Sequence, residues 1–175
     1  LFYSVPDETG VYAVLGFDSP INAETLASRA FCGGETELIA ELITALRTGG
    51  ATDNKNAEKL AQLDTIDWSA LPVLEGVFLT GGAAKSPFSA KIGSFPTKGV
   101  QKNHPDLMAR LEPLMLRVED TRKARLAYDM AQRSQALAAF GVQFLEKYET
   151  RKQLLGWLDF DDLILRTRNL LTDRS

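Results

Sequence analysis

Four lysines, Lys85, Lys91, Lys98 and Lys102, fall in a window, residues 76–105, that contains no aspartate or glutamate. Ammonium groups without neighbouring carboxylates are what a contact with phosphate oxygens requires, because their charge is not already neutralised locally. Phe88 and Phe95 interleave with the lysines, and Thr97 adds a hydroxyl that can donate to a phosphate. The same composition also suits a solvated, flexible loop whose lysines serve solubility alone. On the first reading, Lys85, Lys91, Thr97, Lys98 and Lys102 are candidate contacts to a nucleic-acid backbone.

A second cluster lies near the other end, where Asp159, Phe160, Asp161 and Asp162 precede a run rich in leucine and isoleucine. Three carboxylates in four positions invite a metal, and Mg²⁺ does bind through one or two carboxylates plus substrate phosphates. A helix start accounts for the cluster more simply. Asp159 as N-cap with Asp162 three positions on makes a capping box with aspartate in place of glutamate, and the positive end of the helix dipole favours all three charges. We expect a structural role and no metal.

Other reactive residue types have weaker claims. Leu79 through Ser86 places glycines and a Lys-Ser pair after an apolar run, as a phosphate-binding loop does, but Ala84 stands where the glycine before the lysine belongs and Pro87 opposes a following helix. Cys32 is the single cysteine, with no partner for a disulfide or zinc site, and is expected as a small buried residue beside Phe31. His104, the single histidine, precedes Pro105 and marks a helix boundary. Arg117, Arg122, Lys123 and Arg125 are a secondary basic candidate, with acids close enough to pair with them. No catalytic residue is assigned.

These residues sit in a chain of 175 residues with 45% hydrophobic and 25% charged content, sufficient for one domain, 1–175, with a real core. The net charge of −3 hides segregation: 12 acids face 4 bases over residues 1–75, whereas residues 106–175 hold 11 acids and 12 bases. Neither a membrane-length apolar run nor a signal-like opening is present, so the expectation is a cytoplasmic protein.

Apolar periodicity predicts a mainly all-α fold, an irregular helical bundle. Val11, Tyr12, Val14 and Leu15 suggest a short strand or irregular lead-in within residues 1–17. Helices are predicted over 22–31 and 35–47, then to about Leu63 with Thr52 or Asp53 as cap, then from Asp67 to about Leu79 with Pro72 in the first turn. Glycines and prolines make 80–104 a long basic loop, with a short β ribbon at 88–92 as an option. Beyond Pro105 the pattern is helical, with Pro113 near a helix start. Residues 113–155 as one very long helix would span ~65 Å.

The segment Gly156 to Leu171, containing Leu158 to Ile164, resembles the LDFDDLI box of UvrD/Rep-type superfamily 1 DNA helicases, most closely those of the AddA kind acting in double-strand-break repair. Upstream, the stretch from Gly49-Gly50 through Thr52-Asp53 to Lys55 is similar to that group's GGKTDxK segment, and Phe78-Leu79-Thr80 with Pro96-Thr97-Lys98 to its FLT…TK segment. Asn103 to Leu107 and Phe144 to Tyr148 follow in the same order. The likeness runs from about residue 36 to the end; the first thirty or so residues carry no placed motif.

The resemblance implies that the chain is a piece of a larger helicase: its inserted subdomain 1B, with residues 156–175 returning toward the first motor domain. ATP and Mg²⁺ would then be cofactors of the parent enzyme, with none held by this fragment. It also implies contact with duplex DNA near the strand-separation point, without sequence specificity. The remaining motor domains of the same chain are further expected partners. The alternative function is protein interaction, the long amphipathic helix docking a companion nuclease subunit.

Overall fold

A computed structural model describes residues 8–172; helices are the regular secondary structure of these residues, and none of them forms a strand. The helices are α1 (Glu8–Val14), α2 (Ala23–Ala30), α3 (Glu35–Arg47), α4 (Ala51–Leu60), α5 (Leu71–Phe78), α6 (Lys98–Asn103), α7 (Pro105–Leu155) and α8 (Phe160–Thr172), with a 3-10 turn at Trp68–Ala70 before α5. One long helix carries the others. The first half of α7 buries Leu107, Leu111, Leu114, Met115 and Val118, and α1, α2, α3, α5 and α6 all pack against it.

Local chemistry sets the boundaries. Asn22 caps α2 by accepting from the Thr25 amide at 2.7 Å, and Asp67 caps the 3-10 turn by accepting from the Ser69 amide at 2.8 Å. Glu35 is buried at the start of α3, where its carboxylate accepts the amides of Cys32 and Gly33 and the guanidinium of Arg117. Burial alone would raise its pKa; those backbone amides, with the Arg117 charge, outweigh burial and hold the group below the ordinary glutamate value.

Several expectations are corrected. Val11, Tyr12 and Val14 belong to a helix, since Tyr12 is wholly buried and donates its hydroxyl to the Ile21 carbonyl at 2.7 Å; the part of that reading on residues 1–7 lies outside the described residues. Cys32 is exposed: the connection between α2 and α3 commits its amide to Glu35 and turns the thiol outward. Neither Thr52 nor Asp53 caps α4, whose cap is Gly50. Pro113 lies two turns inside α7, because Pro105 occupies the first turn and burial of Leu107, Leu111 and Leu114 offsets the lost backbone bond. The ribbon reduces to one antiparallel bridge between Leu79 and Ala90.

Asp53, in the first turn of α4, is buried and reaches across to Thr97, accepting its amide at 3.1 Å and its hydroxyl at 2.5 Å. The Asp53 side chain folds over Gly49 so closely that a β-carbon there would lie 2.3 Å from a carboxylate oxygen. Two segments 44 residues apart are thereby clamped. Removing one partner strands the other, so Asp53→Ala should cost about 2 kcal/mol. In a double-mutant cycle with Thr97→Val, denaturant melts should give strongly non-additive losses; additive losses would dissolve the clamp.

A pH dependence follows from Glu35. Its lowered pKa gives a stabilisation present above the unfolded carboxylate pKa and lost as pH falls through the folded value. Thermal midpoints should drop on acidification below about pH 4.5, and Glu35→Gln should make that drop shallower while lowering the plateau.

Candidate nucleic-acid interface

The basic segment leaves α5 at Leu79 and is fastened at each step. Its backbone bonds pair the Thr80 amide with the Ser89 carbonyl and the Lys91 amide with the Phe78 carbonyl, both at 2.9 Å. The Thr80 hydroxyl donates to the Ser86 carbonyl and accepts from the Ser89 amide. Glu119 on α7 accepts the Ala90 amide at 2.8 Å. Phe95 is buried against Phe78, and Val100 of α6 is buried as well. The segment is thus part of the fold.

That anchoring sorts the candidate residues. Lys85, Lys98 and Lys102 are exposed. Lys91 is half-buried and donates from its ammonium to the Val77 carbonyl at 2.7 Å. Desolvation, followed by the nearby charge of Lys59 on α4, holds its pKa below the ordinary lysine value. Thr97 spends its hydroxyl on Asp53 and serves the clamp. Lys59, exposed on α4, was not singled out from the sequence; it follows Glu58 outside the acid-free window, and packing of α4 on α5 brings its charge near Lys91.

Phe88 sits at the bend of the loop with φ 57°, the left-handed region, where a bulky residue costs of the order of 1–3 kcal/mol. Two neighbours hold it there. The Arg122 guanidinium lies 3.7 Å from its ring centroid, and Gly82 approaches so closely that a β-carbon would sit 3.2 Å from Cζ. The Lys85-Ser86 pair leads into turns, so the helix that a phosphate-binding loop needs does not follow.

Of the secondary basic candidates, Arg117, Arg122 and Arg125 turn inward and Lys123 stays exposed. Arg117 donates to the Ala30 carbonyl and to Glu35, both at 2.8 Å, and Arg125 grips Glu75 through two donors and Asp129 through a third. Arg122 shares Glu75 at 3.4 Å, and the Lys123 ammonium stands 5.4 Å from the Phe17 ring centroid.

At the far end, Asp159 and Asp162 make the reciprocal bonds of a capping box, each carboxylate accepting the other's amide at 2.9 and 3.0 Å. Lys152, buried at the end of α7, donates to Asp159 and bridges to Asp162 and Glu149. Its bonds to Asp159 and Asp162 raise its pKa, and it in turn depresses that of Asp159. Asp161 and Phe160 face solvent outside this knot. His104 closes α6 and opens α7.

These contacts assign the carboxylates distinct weights. Asp159→Ala should speed amide hydrogen exchange across the first turn of α8, whereas Asp161→Ala should leave it nearly unchanged. Adding Mg²⁺ should protect neither variant nor the parent. Metal-dependent protection abolished by either substitution would make the cluster a cation site instead.

Comparison with models of protein families, with curated proteins and with solved structures finds no match to this chain.

Proposed function

We propose that the chain is a non-catalytic, DNA-contacting subdomain of an AddA-like helicase, holding duplex backbone while the motor domains of the parent enzyme supply ATP hydrolysis. The observation that carries this reading is the exposure of Lys85, Lys98 and Lys102 on an acid-free segment braced against α4 and α7. A rigid display loses less conformational entropy on binding than a floppy loop does. Lysines so held neutralise phosphates and leave base edges unread, so the contact is independent of sequence.

A second reading, docking of a companion nuclease subunit, is favoured by a different observation. Among the described residues beyond Ala131 only Lys152 is buried, and Leu137, Phe140, Phe144 and Tyr148 run exposed along α7, with Phe140 65% and Leu137 70% accessible. Apolar stripes of this extent mark interaction surfaces. The two readings differ in their response to salt, which weakens phosphate contacts and leaves apolar docking intact.

Fluorescence anisotropy of a labelled duplex, titrated across a salt series, decides between them. Three lysines on three phosphates give a slope of log affinity against log salt of about −2.7. Replacing Lys85, Lys98 and Lys102 together by Glu should flatten that slope and weaken binding to any sequence alike. Unchanged affinity and slope would remove DNA contact from the loop and leave docking as the better account.

A further inference from the structure

A cleft of about 330 Å³ opens between α5, the basic loop and α7. Pro72, Leu79 and Phe88 are its apolar walls, and Thr80, Lys91 and Arg122 bring polar groups to it. Glu75 also lines the cleft, but its two oxygens are already gripped by Arg125. The buried Nε of Arg122 makes no hydrogen bond and lies 3.4 Å from a Glu75 oxygen, while the guanidinium sits over the Phe88 ring. Phe88 remains 41% exposed while fixed in a strained backbone conformation. An aromatic held rigidly at a basic surface, backed by a guanidinium plane, has the makings of a platform for an unstacked base.

Resting on the DNA-contacting reading above, we propose that this cleft receives one unpaired nucleotide of single-stranded DNA adjoining a duplex. Its base packs against Phe88, Arg122 and the apolar walls. The volume fits a single nucleotide, small for a drug-sized ligand and too small for a stacked base pair. The module would then distinguish a base-bearing tail from an abasic one, a preference that loop lysines alone cannot create because the phosphates are alike in both.

The test measures affinity of the full chain for three DNAs of one sequence: a blunt duplex, the duplex with a single-stranded tail on either strand, and the duplex with a tail of abasic sites. The base-bearing tail should bind about tenfold more tightly than the abasic tail, the range of one base–aromatic stack. Phe88→Leu should erase that difference between base-bearing and abasic tails, with thermal melts reporting that the variant is folded; Phe88→Tyr should keep it. Equal binding of base-bearing and abasic tails by the unaltered chain would overturn the proposal, as would a Phe88→Leu loss shared equally by the blunt duplex. Salt-dependent binding of the blunt duplex with no tail preference would sink the cleft alone. Binding to none of the three DNAs would sink the cleft and the DNA-contacting reading together.

Discussion

Burial of one face of α7 is the constraint on which the rest of the structure depends. A helix of 51 residues, ~77 Å at 1.5 Å per residue, cannot be covered by helices of six to thirteen residues along its whole length. The short helices collect on its first half, where Leu107 to Val118 form a continuous apolar seam, and Thr121, Ala124, Ala127 and Ala131 extend that seam with small side chains. Beyond it the apolar residues grow large while cover runs out: Phe140 stacks on Phe144 and Phe144 on Tyr148. The same helix is core at one end and surface at the other.

Anchorage to α7 is also what turns a glycine- and proline-rich loop into a defined surface. Glu119 and Arg122, one turn apart on α7, hold the Ala90 amide and the Phe88 ring, and Asp53 of α4 holds the far end through Thr97. Charge alone would have suited a mobile tether, since lysines on any solvated loop attract phosphates. Fixed positions for an exposed aromatic are the additional ingredient, and they come from an arginine whose charge the buried Glu75 only partly satisfies.

The sequence was most legible where the deciding contacts were local. Asp67 caps the segment that begins directly after it, the stripe of Leu38, Ile39, Leu42 and Leu46 repeats at helical spacing, and Asp159 with Asp162 closes its box across three residues. Long-range partners were not legible. Thr97 reads as a free hydroxyl until Asp53 meets it 44 residues away, and Lys91 reads as a free charge until the Val77 carbonyl takes it. Cys32 and the α1 residues failed for a related reason: a short apolar stretch beside glycines has no period long enough to separate helix from strand, or buried from exposed. Pro113 misled because two prolines competed for one helix start, and tertiary burial chose the earlier.

The knot at Lys152 bears on how the exposed apolar surface is presented. Gly156 turns the chain in the left-handed region directly after α7, a conformation that by itself would leave α8 free to swing. Lys152 answers to three carboxylates, two of them on the α8 side of that turn, so the elbow is tied across by charge-assisted bonds. Phe160, Leu163 and Ile164 on α8 are exposed like the α7 stripe, and the elbow relates the two faces. A surface that covers both avoids the ordering cost of a free hinge, whereas one that covers α8 alone leaves the aromatic ladder of Phe140, Phe144 and Tyr148 in water.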